Sequence, residues 1–137
     1  MRNQLPRSAS RNQHGRNRKK LGQDGETLAC GYLKRKGYNI ITRNFRRRNG
    51  EIDIIARDKE TIVFCEVKTR RNRKFGEPFE AVDKYKQVRL RRLAEGYLQR
   101  IKKEEKSIQD YNYRFDVVSI VFSQDRNHSI THLENAF

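Results

Sequence analysis

Glu51-Ile52-Asp53-Ile54-Ile55-Ala56 is an apolar run broken by two acids, and Ile62-Val63-Phe64-Cys65-Glu66-Val67-Lys68 is a second one broken by a glutamate and a lysine. β-Branched residues dominate both, which predicts strands over 51–57 and 61–69 joined by a turn at 58–60. Side chains alternate across a sheet. Glu66 and Lys68 therefore share one face, while Val63, Cys65 and Val67 share the other. The short turn makes the strands antiparallel neighbours and brings Asp53 beside Glu66. Two carboxylates on a half-buried sheet repel each other, and each loses hydration. A hard divalent cation, Mg²⁺ or Mn²⁺, removes that cost and keeps positions open for water and phosphate oxygens. A lysine on the same face, two residues on, can orient the metal-bound water or stabilise charge in a phosphoryl transition state. The plainer reading is a salt-bridged surface of an amphipathic sheet.

Upstream of these strands, Leu28, Ala29, Tyr32 and Leu33 recur at helical spacing, and Gly37 stops the run, which predicts a helix over 21–36. On a helical wheel Glu26 flanks the Ala29, Cys30 and Leu33 stripe, which supplies a third carboxylate. A strand over 38–46 follows, with Asn49-Gly50 as its hairpin turn. A polar loop spans 70–79. A long helix over 80–103 has Val82, Tyr85, Leu93, Tyr97 and Ile101 near one face, with Val88, Ala94 and Leu98 alongside. A strand at 113–122 and a fifth or edge strand at 129–134 close the chain. The order is helix, three strands, helix, strands. It predicts an α/β fold, a central mixed sheet flanked by helices.

The chain has 137 residues, with 32 Lys+Arg against 17 Asp+Glu and a net charge of +15. Residues 1–20 contain seven of the basic residues, no acid and only three apolar residues, so they read as a disordered basic arm. Removing the arm's +7 from +15 leaves +8 on 117 residues, 21–137, enough chain for one core without disulfides or a structural metal. Cys30 and Cys65 form no CxxC pair and fit small buried residues in a reducing cytoplasm. The longest apolar-dominated run, 117–122, is far short of the roughly 20 residues a spanning helix needs, so no membrane partner is expected. A basic excess of this size points first to nucleic acid.

Residues 22–137 resemble the YraN-type bacterial family of endonuclease-like proteins. The resemblance rests on Gly25-Glu26 with Ala29, Asn44-Phe45, Gly50-Glu51-Ile52-Asp53-Ile54-Ile55-Ala56, and Val63-Phe64-Cys65-Glu66-Val67-Lys68-Thr69-Arg70. It continues through Phe75-Gly76, Arg114-Phe115-Asp116-Val117-Val118 and His132-Leu133-Glu134-Asn135-Ala136-Phe137. That family looks like a branch of the PD-(D/E)xK nucleases, with a restriction-endonuclease-like fold and a likeness to Holliday-junction resolvases. The resemblance implies a PD-(D/E)xK nuclease-like domain over 21–137, with Asp53, Glu66 and Lys68 as the catalytic set and Glu26 as the assisting helix carboxylate. Asp53, Glu66 and the Val67 carbonyl would hold the metal. Cleavage would leave a 5′-phosphate and a 3′-hydroxyl. Two departures are visible. Ile52 stands where the superfamily signature has proline, and Gln23 stands where a basic residue often follows Gly22.

The loop after the catalytic strand carries Arg70, Arg71, Arg73 and Lys74, placed to grip phosphates at the mouth of the site. In related nucleases the next helix reaches the DNA backbone, which nominates Lys86 and Gln87. His128 and His132 form an HxxxH on a strand-like segment without a third ligand, and no metal role is expected for them. The leading expectation is a metal-dependent nuclease acting on DNA, with branched or flapped DNA as candidate substrates and RNA left open. The alternatives are a non-catalytic nucleic-acid-binding module that keeps the fold, and an interaction protein using its basic arm. Resolvase-like relatives are often homodimers, though nothing in the sequence marks a dimer surface.

Overall fold

The runs of alternating and continuous apolar residues form five strands among the described residues: β1 (Asn39–Arg47), β2 (Gly50–Asp58), β3 (Thr61–Arg70), β4 (Asn112–Phe122) and β5 (His128–Leu133). The computed structural model describes residues 8–71, 82–107, 109–125 and 127–137, without the side chains of 8–17. The strands lie in chain order in one sheet, β1-β2-β3-β4-β5. β1/β2, β2/β3 and β4/β5 are antiparallel, and β3/β4 is parallel. A parallel neighbour needs a crossover connection. Helix α2 (Lys84–Glu104) lies in that connection. Helix α1 (Ser8–Arg35) covers the opposite face. The fold is α/β, a mixed sheet between helices, as the element order predicts.

Each face has its own core. On the α2 side, Leu90, Leu93, Ala94 and Tyr97 pack on Phe45, Ile52, Ile55, Ile62, Phe64, Phe115 and Val117. On the α1 side, Ala29, Cys30 and Leu33 pack on Ile54, Ala56, Val63, Cys65, Val118 and Ile120. Both cysteines are buried and unpaired. None of the helices is long and apolar enough to cross a membrane, among the described residues.

Four local expectations change. Helix α1 begins at Ser8, so most of the stretch read as an unstructured arm is helical. No proline lies between Pro6 and Arg35, and a helix already anchored by packing extends at little cost per residue. Arg47 pairs with Gly50, which puts the hairpin turn at Arg48-Asn49, one residue earlier than read. Helix α2 starts at Lys84 behind an Asp83 N-cap whose carboxylate accepts from the Lys86 amide at 2.8 Å; residues 80–81 lie outside the described residues. Tyr85 and Val88, read as near the core face, are 81% and 50% exposed. The buried stripe is anchored on Leu90, and at about 100° per residue Tyr85 falls roughly 130° from its centre.

Gly25 sets how closely α1 approaches the sheet. A Cβ there would lie 1.9 Å from Thr69 Oγ1 and 2.9 Å from Thr69 Cβ and Cγ2. A threonine on a strand cannot swing aside, so Gly25→Ala pushes the helix off β3. The expected cost is about 1–3 kcal/mol in chemical denaturation. Adding Thr69→Ala is expected to recover part of it.

Candidate active site

Asp53 sits where the alternation of β2 slips. Ile52 packs in the α2-side core and Ile54, two residues on, in the α1-side core. Between the paired positions Arg43↔Ile54 and Phe45↔Ile52 lies Asn44, at φ +53°. Asparagine tolerates this left-handed conformation better than most residues. The β2/β3 ladder runs from Asp58↔Thr61 to Ile54↔Cys65. At its end Asp53 Oδ2 accepts the Val67 amide at 2.8 Å. That hydrogen bond ties the carboxylate of one strand to the backbone of the next.

Three carboxylates meet here. One oxygen each from Glu26 on α1, Glu51 and Asp53 lie within 4.8 Å of one another. Asp53 and Glu51 also line an open cleft of about 580 Å³ with Glu66, Lys86, Gly50, Arg89 and Arg46–Arg48. Burial, reinforced by the charges of Glu66, Glu26 and Glu51, pushes the Asp53 carboxyl from its ordinary 3.8 up to about 8, despite the Val67 N–H. Burial and Glu51 also raise Glu26, against a hydrogen bond from Asn44 and the charges of Arg43 and Arg46. Neighbouring cations offset the acids only in part: Arg46 Nε lies 2.9 Å from Glu51 Oε2, and Arg43 Nη2 is 3.9 Å from Glu26 Oε2.

Glu66 is different. Its side chain is only 8% exposed, and two ammonium groups face the same Oε1. Lys68 Nζ is 3.6 Å away, and Lys86 reaches across from α2 to donate a short hydrogen bond. Burial and then the neighbouring Lys86 hold the Lys68 ammonium below its ordinary range, against the pull of Glu66. For Lys86 burial acts downward, but its hydrogen bond to Glu66 and the charges of Glu66 and Asp53 win and raise it. The two lysines on Glu66 thus differ: burial and Lys86 loosen the proton of Lys68, and Glu66 tightens that of Lys86.

The model of the uncharacterised protein family UPF0102 matches residues 25–120. The chain belongs to the UPF0102 family. A UPF0102 protein of Alkaliphilus oremlandii is 49% identical over 121 residues, covering 87% of this chain and 98% of that protein. UPF0102 proteins of Geobacter sulfurreducens and Thermodesulfovibrio yellowstonii are each 47% identical over 117 residues, covering 85% of this chain and 88% and 95% of theirs.

In this UPF0102 chain the structure brings Glu26, Asp53, Glu66 and Lys68 into one neighbourhood, with Val67 beside Asp53 through its amide. It adds Glu51, which neither the alternation of Glu66 and Lys68 nor the family resemblance singles out. The signal was present, since Glu51 and Asp53 are two apart on one strand. Lys86 points into the cleft but is engaged with Glu66. Gln87 turns back on its own helix entry, its Nε2 donating to the Val82 carbonyl at 3.1 Å. Arg70 ends β3, and Arg71 lines a separate depression with Leu21, Phe122, Ser123 and Gln124. Arg73 and Lys74 lie outside the described residues. His132 Nε2 meets Asp116 Oδ2 at 2.8 Å, in a network away from the cleft.

Proposed function

We propose that this UPF0102 protein is a metal-dependent nuclease that hydrolyses phosphodiester bonds in DNA. The carrying observation is the convergence of Glu26, Glu51 and Asp53, with the Glu66–Lys68 pair alongside, at a cleft that Glu51, Asp53 and Glu66 share with Arg46–Arg48 and Arg89. A cation fits this donor set: the ligand atoms are all carboxylate oxygens, and the raised Asp53 shows negative charge the protein leaves uncompensated. Asp53 and Glu66 would hold Mg²⁺ or Mn²⁺, helped by the carboxylates of Glu26 and Glu51. When bound, the ion would polarise the scissile phosphate and acidify a water.

The chain's own residues do the remaining work in this reading. The Val67 amide holds Asp53 in one orientation. Lys68, loosened by burial and by Lys86, donates hydrogen bonds that aim the attacking water and steady charge on the phosphate oxygens. Lys86 leaves Glu66 for the non-bridging phosphate oxygens once substrate enters. Arg46–Arg48 and Arg89 at the rim draw the backbone in. DNA ahead of RNA, and branched or flapped forms among DNA substrates, follow from the resemblance to resolvase-like nucleases.

One observation favours a second reading, a nucleic-acid-binding module without turnover. Lys68 and Lys86 already neutralise Glu66 within the protein. A cleavage panel of end-labelled single-stranded, duplex, flap and four-way DNA, with Mg²⁺, Mn²⁺ or EDTA, decides between them. Divalent-dependent scission is the expected result. DNA binding with no scission on any substrate, and no rise in Tm on adding the ion, would establish the binding module instead.

A further inference from the structure

The outer face of α2 carries a groove that the acidic cleft does not use. Asn49, Tyr85, Val88, Arg89 and Arg92 line it, with a volume of about 400 Å³. Arg89 also lines the acidic cleft, so the two depressions join at that side chain. The junction is held close by Gly50, at φ +138°, where a Cβ would come within 3.3 Å of Arg89 Cδ. Tyr85 is 81% exposed and Val88, one helical turn on, is 50% exposed. A tyrosine and a valine in water beside two guanidinium groups form an apolar platform edged by positive charge.

The charge around the platform narrows its partner. Residues 84–94 contain Lys84, Lys86, Arg89, Arg91 and Arg92 and no acid. Arg91 is occupied, stacked over Phe115 and Phe137, and Lys86 is held by Glu66. No carboxylate pairs with Arg89 or Arg92 among the described residues. A second copy of the chain offering the same face would bring like charges together, so the platform does not suit self-association. A polyanion with flat apolar groups suits both features. In a duplex those flat faces are stacked inside the helix, whereas an unpaired base exposes one.

We infer that this groove binds a single-stranded stretch of nucleic acid, with an unpaired base stacked on Tyr85 against Val88 and the neighbouring phosphates on Arg89 and Arg92. The inference rests on the proposed nucleic-acid substrate but not on turnover. It gives that substrate a shape: the strand leaving the acidic cleft past Arg89 is unpaired within a nucleotide or two of the scissile phosphate. An overhang, flap or frayed junction meets this requirement, and an uninterrupted duplex does not.

The test measures binding in EDTA, where cleavage is silent. Fluorescein-labelled duplexes are compared with and without a single-stranded overhang, and a second set carries 2-aminopurine in the overhang. Tyr85→Ala is expected to weaken overhang binding by about tenfold or more. Blunt-duplex binding is expected to stay within about twofold, and Tyr85→Phe, which keeps the ring, to bind like wild type. Wild type and Tyr85→Phe should quench 2-aminopurine, and Tyr85→Ala should not. Arg92→Gln should lower the log–log salt slope on single strands by about 0.7. Equal binding of both probes by wild type and Tyr85→Ala, with no change in 2-aminopurine, overturns the inference. A change in the oligomeric state of Tyr85→Ala with DNA binding untouched also overturns it and assigns the face to contacts between copies. Because the readout needs no metal, a protein that binds overhangs through Tyr85 but cuts nothing sinks the nuclease reading and leaves this inference standing.

Discussion

Asp53→Asn is expected to abolish divalent-dependent cleavage while raising the stability of the metal-free protein. The two effects have one cause. Asp53 shares its site with Glu66, Glu26 and Glu51, and burial with their charges lifts its carboxyl from 3.8 to about 8. The folded state therefore holds a proton that the unfolded chain gives up near 3.8. Unfolding releases that proton across the interval, so metal-free stability falls as pH rises from about 4 to about 8 and levels off above. Asparagine keeps the shape, keeps an oxygen for the Val67 amide and has no charge to lose. The variant's gain should be near zero at pH 4, grow toward pH 8 and reach on the order of 1–3 kcal/mol at neutral pH. Added Mg²⁺ should raise the Tm of wild type and leave the variant's unchanged. Lys68→Ala should differ, keeping the Mg²⁺-induced rise while losing turnover. If Asp53 were merely a salt-bridge partner, its neutralisation would strand a cation and lower Tm without metal. Melts of wild type and Asp53→Asn from pH 4 to 9, with and without Mg²⁺, separate these outcomes.

Asp116→Ala is expected to be the most destabilising of the ion-pair substitutions, at about 3–5 kcal/mol. Asp116 lies on β4 with its side chain 0% exposed. It accepts from Arg114 Nε at 3.0 Å, from the Asn135 amide at 3.0 Å and, on its other oxygen, from His132 Nε2 at 2.8 Å. Lys36, which can only donate, faces the other ring nitrogen of His132 at 3.1 Å. Arg114 also reaches Asp58 and the Tyr38 hydroxyl, and Tyr38 donates to Glu134. The tail closes over this network: Ala136 N donates to the Phe115 carbonyl at 2.7 Å and Phe137 stacks on Phe115. Alanine at 116 takes away the carboxylate that Arg114 Nε, His132 Nε2 and the Asn135 amide share, leaves Arg114 with only Asp58 and the Tyr38 hydroxyl, and loosens the tail. The loss should appear as a Tm lower by about ten degrees or more. An effect below about 1 kcal/mol in urea titration would show that water replaces the carboxylate. The same group sets an acid limit. Burial acts to raise the Asp116 carboxyl, but hydrogen bonds from His132, Arg114 and the Asn135 amide outweigh it and hold it below 3.8. Its contribution is complete above about pH 4 and lost as pH falls through the lowered value. Asp116→Asn should flatten that acid-side loss.

Local patterning settles the strands, the sheet between helices and the placement of Asp53, Glu66 and Lys68. Each depends on a local period or a short turn. Alternation put Glu66 and Lys68 on one face, and a short hairpin put Asp53 next to Glu66. What it could not carry was how each face meets its neighbours. Glu51 joins the site because α1 comes close over Gly25 and because β2 slips at Asp53 opposite a left-handed Asn44. Tyr85 stands outside the core because α2 docks on the stripe of Leu90, Leu93, Ala94 and Tyr97, a choice made by the sheet beneath it. Asp116 and His132 look like scattered polar residues until β4 and β5 pair, with Val118 opposite His132, and bring them together. Period and propensity act over a few residues, whereas these contacts span tens of residues and exist only once the sheet and both helices are in place.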